Sequence, residues 1–203
     1  MRYDAEHKER TRARVLDEAV KAIRTEGPDK IGVAGVMARA GLTHGGFYAH
    51  FESKDDLVLA ALDQMFASAR GTFERIAAKV AGKPPAEALK IYVNFYLSTG
   101  HRDARDSGCP LPLLSSDLPR MPEAARTHFA NGVARLCGAI QGVLEKTGHP
   151  DPEGAASSAL AEMIGALSVA RAIADPEQSD AILRRSRESV LARLGLPAKG
   201  TEA

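Results

Sequence analysis

The stretch that most constrains the fold spans residues 38–57 and reads ARAGLTHGGFYAHFESKDDL. Gly41 follows apolar residues at helical spacing, and a glycine can adopt the left-handed backbone conformation that ends a helix. Thr43 can cap the start of the next helix, in which Phe47 and Phe51 fall one turn apart on one face. The stretch therefore predicts a helix, a tight turn and a very short second helix.

The edge of the second helix opposite its aromatic face carries small, hydroxyl and imidazole groups. Such an edge suits the major groove of DNA, where the first residues of a helix meet base edges and hydroxyl groups hold phosphates. Two of the residues expected at the bases are glycines, so few side chains remain to contact base edges. We therefore expect sequence specificity to depend on DNA shape. The candidate DNA-binding residues here are Thr43, His44, Gly45, Gly46, Tyr48 and His50.

With SKDDL at residues 53–57, this stretch resembles the DNA-binding domain of the TetR family of bacterial transcriptional regulators. The resemblance implies that the ammonium group of Lys54 and the hydroxyl group of Tyr48 bind phosphates. The chain departs from the family at the start of the preceding helix. There Gly32, Ala34 and Gly35 stand where the family usually has a hydroxyl cap and a polar side chain. Backbone N–H groups are then all that this helix offers to a phosphate.

Two features beside this motif are open to more than one interpretation. His50 either contacts DNA or is a half-buried histidine that forms hydrogen bonds within the domain. The first helix begins with four basic side chains that either reach phosphates or form a solvated face, because acidic residues are interspersed among them. The basic residues are Lys8, Arg10, Arg12 and Arg14, and the acidic ones are Glu6, Glu9 and Asp17.

Charge alone does not indicate a nucleic-acid partner. The 27 lysines and arginines are balanced by 26 acidic residues, which gives a formal net charge of +1. Residues 1–53 hold nine basic and eight acidic side chains. The DNA-binding prediction therefore rests on the motif and not on a basic surface.

The sequence carries no pattern typical of export or membrane insertion. It is charged from Arg2 onward, and no apolar run approaches the roughly 18 residues that span a bilayer. We therefore expect a cytoplasmic protein. The spacing of Cys109 and Cys137 is not that of metal ligands, and a disulfide is not expected in a reducing compartment. No metal and no cofactor are predicted.

Apolar residues recur at helical spacing along most of the chain, and strand patterns are absent. The sequence predicts an all-α protein with a three-helix helix-turn-helix domain at residues 1–52 and a helical bundle at residues 53–203. The family resemblance assigns effector binding and dimerisation to the bundle. A near capping box at Ser53 starts a rod that is expected to join both domains. The predicted helices span residues 8–26, 31–40, 53–81, 86–99, 113–117, 123–147, 152–174 and 178–194.

A proline-rich segment at residues 101–122 interrupts the regular helices, and such a segment is a natural place for the wall of a pocket. Aromatic and sulfur-bearing residues concentrate near it and can line a pocket for an apolar or aromatic effector. At helical spacing the same residues can equally be core. The candidate ligand-binding residues are Tyr92, Phe95, Tyr96, Cys109, Met121 and Phe129.

Cys109 lies close in sequence to His101, Arg102 and Arg105. Nearby cations lower the pKa of a thiol and favour the reactive thiolate, whereas burial acts in the opposite direction. Some TetR-like regulators carry a cysteine at a comparable place and respond to electrophiles or oxidants through it. Cys109 is therefore either a thiol sensor or a small buried residue.

The last two helical patterns are rich in small residues, which let helices approach closely. The family resemblance implies that these helices form a four-helix bundle with their copies across a two-fold axis, matching a palindromic operator. Core packing within one chain is the alternative. The residues concerned are Gly154, Ala155, Ala156, Ser157, Ser158, Ala159, Ala161, Gly165, Ala166, Ser168 and Ala170, with Ile182, Ser186, Ser189, Val190 and Leu194.

The resemblance implies a homodimeric regulator, a repressor rather than an activator, that binds a palindromic DNA operator and is released by a small-molecule effector. Two other functions are consistent with the sequence: a thiol-based regulator that uses Cys109, and a helical interaction module that has lost DNA binding. An enzyme is not predicted, because the sequence has no nucleophile elbow, no phosphate-binding glycine loop and no His-Glu-x-x-His zinc pattern.

Overall fold

The computed structural model describes residues 2–28, 30–79 and 82–196, with side chains described from residue 6 onward. Within these ranges the chain is helical and has no strand, which confirms the predicted all-α fold. The α-helices are α1 (Arg2–Glu26), α2 (Val33–Arg39), α3 (Lys54–Lys79), α4 (Pro85–Tyr96), α5 (Thr99–Asp103), α6 (Leu111–Leu114), α7 (Glu123–Lys146), α8 (Pro152–Ala172) and α9 (Pro176–Arg193). Two 3₁₀ helices, His44–Ala49 and Leu118–Arg120, complete the described secondary structure.

The helix-turn-helix unit folds around one apolar core. α1, α2, the 44–49 helix and the first half of α3 each turn an apolar face towards it, because burying those faces removes apolar surface from water. α1 begins at Arg2, earlier than the predicted residue 8. The main core side chains are Val15, Ala19, Ile23, Ile31, Val36, Met37, Phe47, Phe51, Leu57 and Leu62.

The tight turn after α2 is built as the sequence predicts. Gly41 has a φ of 69°, in the left-handed region that favours glycine. Its N–H donates to the carbonyl of Ala38 at 3.0 Å, and the N–H of Leu42 donates to the carbonyl of Met37 at 2.9 Å. This pair of hydrogen bonds is the Schellman motif, which satisfies the last carbonyls of a helix.

α3 starts with reciprocal hydrogen bonds at its first turn. The Oγ atom of Ser53 accepts from the N–H of Asp56 at 3.0 Å, and the Asp56 carboxylate accepts from the N–H of Glu52 at 3.1 Å. These bonds satisfy N–H groups that have no partner inside the helix. The predicted end of this rod near Ala81 lies outside the described residues.

The second half of the chain is a bundle of α4, α7, α8 and α9, and α3 packs against its α4 and α7 side. Asp151 and Asp175 accept N–H groups at the starts of α8 and α9, and in each helix a proline follows. The predicted helix at residues 113–117 is misplaced: helices form instead at Leu111–Leu114 and Leu118–Arg120. Pro112 and Pro119 explain the shift, because a proline is tolerated only in the first turn of a helix.

The two apolar cores meet along α3. Leu57 and Leu62 belong to the helix-turn-helix core, whereas Phe66, one turn further, belongs to the bundle core. Leu114 and Leu118, from the proline-rich segment, pack into the helix-turn-helix core as well. The domain boundary between residues 52 and 53 remains a prediction. None of the described helices is both long enough and apolar enough to cross a membrane.

Candidate nucleic-acid interface and effector cavity

The 44–49 helix is anchored by one aromatic face and presents the other side to solvent. Phe47 and Phe51 are 1% and 2% exposed, and their stacked rings are 5.7 Å apart. The Tyr48 ring packs edge-on against Phe47 at 5.3 Å but remains 70% exposed. Thr43 and His44 are also exposed. The buried rings thus fix an outward edge that an external partner can reach.

The start of the 44–49 helix differs from the prediction in one respect. Thr43 occupies the N-cap position, but its side chain accepts no capping hydrogen bond. The backbone carbonyl of Thr43 accepts from the N–H of Gly46 at 3.1 Å instead, as the tight 3₁₀ geometry requires. The predicted capping role of the Thr43 hydroxyl group is therefore wrong, and the exposed hydroxyl is available for an external contact.

Glycines near this edge leave the backbone open. A Cβ atom added at Gly32, Gly35 or Gly45 would meet no atom within 4 Å, so packing inside the chain does not require glycine at these positions. Gly32 is the N-cap of α2 and supplies no capping side chain. Backbone N–H groups at the start of α2 and in the 44–49 helix are thus open to a close approach by an anion.

His50 is half-buried beside the start of α1. Its Nδ1 atom is buried and has no hydrogen-bond partner among the described residues. Burial lowers the pKa of His50, and the positive charges of Lys8 and Arg12 and the nearby His7 lower it further. The imidazole therefore lies next to basic groups, and its buried Nδ1 atom does not form the internal hydrogen bond that the alternative interpretation requires.

The basic start of α1 stands beside the 44–49 helix. The Arg12 guanidinium lies 4.6 Å above the centre of the Phe51 ring, a cation–π contact that holds an exposed positive charge in place. Lys54, the first residue of α3, is exposed as well. Basic groups from two helices thus flank the exposed edge, as phosphate contacts on either side of a groove would need.

Four of the six predicted ligand-binding residues line one cavity. Tyr92, Phe95, Tyr96 and Cys109 line a partly open cavity of about 30 Å³, which has room for one or two water molecules. Sequence reasoning missed other residues of the wall, because spacing in sequence does not show which helices meet. They are Ala69, Thr72, His101, Ser107 and Gly108.

Met121 and Phe129 lie away from this cavity. Met121 packs against the helix-turn-helix core, and the Phe129 ring meets Phe66 edge-on at 5.8 Å between the two cores. Their prediction as pocket residues alongside Tyr92 is therefore not supported by the geometry. Both side chains serve as packing: α7 turns Phe129 towards Phe66 of α3, and Met121 follows the Leu118–Arg120 helix and packs against the helix-turn-helix core.

His101 organises the wall of the cavity. Its Nε2 atom accepts from the N–H of Cys109 at 3.1 Å, so Nδ1 carries the proton and donates to the Tyr96 carbonyl at 2.8 Å. The ring stacks on Phe95 at 5.2 Å. Burial lowers the pKa of His101, which keeps the imidazole neutral. The histidine thereby ties residue 109 to the end of α4.

The Cys109 thiol is buried in this wall at 8% exposure. Burial raises its pKa and outweighs the opposing effect of the Arg171 and Arg24 charges. The thiol is therefore protonated at neutral pH, which favours the buried packing residue over the thiol sensor. No group of three or more metal-ligating side chains occurs in the described part of the chain.

The small residues of α8 divide between two faces. Ala155, Ala156, Ala159, Ala166 and Ala170 are buried in the bundle core, as are Val190 and Leu194 from the end of the chain. These residues pack within one chain and are not part of a free face, which corrects the prediction for them. Gly154, Ser157, Ser158, Ala161 and Gly165 are exposed, as is Val169 at 49%. An exposed stripe of small side chains therefore runs along α8.

Comparison with known sequences finds a family match within the helix-turn-helix unit. Residues 15–61 match the family model described as bacterial regulatory proteins of the tetR family. An uncharacterised HTH-type transcriptional regulator of Bacillus subtilis, YerO, is 29% identical over 77 residues. That match covers 38% of this chain and 27% of the relative's own length.

Comparison with solved structures extends the likeness to the whole fold. A TetR-family regulator from Streptomyces coelicolor superposes with a TM-score of 0.74 at 23% identity, over 91% of this chain and 95% of that one. One from Cytophaga hutchinsonii gives a TM-score of 0.76 at 21% identity, over 96% and 98%. The reduced form of Escherichia coli NemR gives 0.75 at 20% identity, over 90% and 96%.

Proposed function

We propose that the chain is a ligand-responsive repressor of the TetR family that binds a palindromic operator as a dimer; residues 15–61 match that family's model, and the fold resembles that of a TetR-family regulator. Members of this family are DNA-binding transcription factors and not enzymes. The observation that carries the proposal is the outward edge at residues 43–50, fixed by two buried aromatic rings and flanked by basic groups. This edge has the size and chemistry of a major-groove reader.

The proposed base contacts come from the first part of the edge. The side chains of Thr43 and His44 and the backbone at Gly45 and Gly46 would meet base edges. The hydroxyl group of Tyr48 and the side chains of His50 and Lys54 would hold phosphates. This division predicts modest direct readout and a strong contribution from DNA shape.

The proposed dimer uses the exposed small residues of α8 together with the outer face of α9. Side chains such as Gly154, Ala161 and Gly165 let a second copy of α8 approach closely, and Val169 adds an apolar contact. Two copies related by a two-fold axis would set the two 44–49 helices about 34 to 36 Å apart, one turn of DNA.

The proposed effector site is the cavity lined by Tyr92, Phe95, Tyr96 and Cys109. Its aromatic walls favour a small apolar or aromatic molecule. Because about 30 Å³ holds only water, such a molecule must widen the cavity on entry. We expect this widening to displace elements that line the cavity and thereby to move the DNA-binding edge.

A gel-shift experiment with DNA flanking the protein's own gene tests the proposal. We expect a complex that survives excess random duplex, because specific binding is typically about 10³-fold tighter or more. A variant that carries Tyr48→Ala and Lys54→Ala should lose the complex, whereas Lys83→Ala, an exposed lysine in the turn before α4, should retain it. Equal affinity for the flanking DNA and for random duplex would contradict the proposal.

A further inference from the structure

A buried arginine joins the helix-turn-helix unit to the cavity wall. Arg24, near the end of α1, is only 6% exposed, and its Nη1 atom donates to the carbonyl of Gly108 at 2.8 Å. The charge of Asp106 acts on Arg24 without an ion pair between them among the described residues, and the Arg24 Nε atom is buried without a partner there. Burial accordingly lowers the pKa of Arg24.

Such an arginine is costly in a purely structural role. A buried charge without an ion pair is unfavourable, and an apolar side chain of similar length would fill the same space without that cost. A role for Arg24 that depends on the position of the Gly108 carbonyl would account for this cost.

The loop that carries this carbonyl has little free space around Gly108. A Cβ atom added at Gly108 would lie 2.9 Å from His101 Nε2, 3.0 Å from the Ala104 carbonyl oxygen and 3.1 Å from Arg171 Nη2. The neighbouring Cys109 N–H is already bonded to His101. The loop therefore cannot shift on its cavity side without disturbing the contact that Arg24 makes on the other.

The same loop forms the non-helical part of the cavity wall. Ser107, Gly108 and Cys109 lie outside the helices, whereas the other lining residues belong to α3, α4 and α5. In the cavity wall the Tyr96 hydroxyl group is fully buried beside the Cys109 thiol, and no described nitrogen or oxygen atom forms a hydrogen bond with it. An unpaired buried hydroxyl favours a ligand that hydrogen-bonds to it. A ligand larger than water would push the loop outward.

We propose that Arg24 is the positioning residue that couples the 107–109 loop to the DNA-binding unit. A ligand that hydrogen-bonds to Tyr96 displaces the loop, and Arg24 loses the Gly108 carbonyl. The end of α1 then moves away from the loop and carries the helix-turn-helix unit with it. This proposal rests on the proposed effector site, and it names the route by which that site acts.

A double-mutant cycle in the full chain tests the coupling without an effector. Gly108→Ala should displace the loop by steric contact. If that variant fails to fold, Ala69→Met replaces it, because the methionine side chain would fill the cavity from α3 and displace the loop from the other side. Each change is made with Arg24 and with Arg24→Met. Gly100→Ala is the matched control, because its Cβ atom would meet only Ser98 Oγ, at 3.8 Å. Arg24→Lys keeps a cationic donor and should preserve part of the coupling.

Two readouts separate this proposal from the proposed function. With Arg24 present, loop displacement should weaken binding to the flanking DNA and speed hydrogen exchange at residues 19–26, each by roughly 5-fold or more. In the Arg24→Met background the same displacement should change each by less than about 2-fold. Equal effects in both backgrounds would overturn the coupling. If wild type binds no DNA, the proposed function fails, and the exchange cycle alone still decides the coupling.

Discussion

Single side chains decide how this protein would hold phosphates. Lys54 and Tyr48 are exposed at the edge of the 44–49 helix, and neither supports a core. Replacing Lys54 with Ala should weaken binding to specific and random DNA alike and reduce the slope of log affinity against log salt by about 1. Tyr48→Phe should weaken both with little change of slope, since it removes no charge. An unchanged slope for Lys54→Ala, measured beside the Lys83→Ala control, would contradict the phosphate contact.

His101 predicts how stability depends on pH. Burial lowers its pKa in the folded protein, whereas in the unfolded chain its pKa is about 6.5. Below that value the unfolded chain binds more protons than the folded one. The stabilisation is therefore complete above about pH 6.5 and is lost as the pH falls through the folded pKa of His101. His50, whose pKa is lowered too, acts with the same sign.

Urea unfolding at pH 7.5 and at pH 5.5 measures this effect. Wild type should lose more free energy of unfolding on acidification than His101→Gln, because glutamine removes the titrating group. The comparison is between the two pH differences, so a lower stability of the variant at both values does not disturb it. An identical loss in both proteins would show that His101 does not titrate on unfolding.

The Cys109 thiol should react slowly in the folded protein. It is 8% exposed and its pKa is raised, so little thiolate is present at neutral pH. Mass spectrometry after brief treatment with iodoacetamide should find Cys109 unmodified in native protein and modified in urea. Rapid native labelling of Cys109, at the rate seen in urea, would revive the thiol-sensor interpretation.

For single residues, the sequence predicted burial and exposure within one helix, but it did not predict contacts between residues far apart in the chain. Burial of Phe47 and Phe51 and exposure of Tyr48 follow from helical spacing alone. The bond between Arg24 and Gly108 joins residues 84 positions apart, and no periodic pattern marks it. Its only trace in the sequence is an arginine at a position of α1 that the neighbouring apolar residues show to be inward-facing.

The elements are specified mainly by their ends. Gly41 and Ser53 act where the sequence predicts a stop and a start, and Asp151 and Asp175 cap α8 and α9, because caps satisfy backbone groups that a helix leaves unpaired. The prolines of residues 101–122 do not by themselves specify where helices begin and end. Each can start a helix as well as prevent one, and the choice is made by packing of the leucines between them.

The glycines of the 44–49 helix predict a separation of stability from DNA binding. A Cβ atom at Gly45 meets no atom of the chain within 4 Å, so Gly45→Ala should leave the melting temperature unchanged or slightly raised. If the backbone approaches bases there, the same change should weaken specific binding about 10-fold or more, by steric exclusion, within the range for one lost base contact.

Gly138→Ala is the matched control for that change. Gly138 lies within α7 with equally open space around its Cβ position. Alanine there should stabilise the helix by about 0.5 to 1 kcal/mol and leave DNA affinity unaltered. Titration of each variant against the flanking DNA, beside thermal unfolding, makes the comparison. Unaltered specific affinity in Gly45→Ala would show that the backbone at residue 45 does not contact bases.

In the whole molecule, the two apolar cores share structural elements. α3 contributes to both cores, and Leu114 and Leu118 of the proline-rich segment pack under the helix-turn-helix unit. The sequence indicated the rod but neither these contacts nor the small size of the cavity. Both depend on how distant side chains fill space, which helical periodicity does not encode.

We propose that a dimer places two copies of the 44–49 helix in successive major grooves on one face of DNA. Hydroxyl-radical footprinting of the protein on DNA flanking its own gene measures this arrangement. We expect two related protected patches about 10 to 10.5 base pairs apart, both lost in a variant carrying Tyr48→Ala and Lys54→Ala. A single patch, or two patches that the variant retains, would rule out this arrangement.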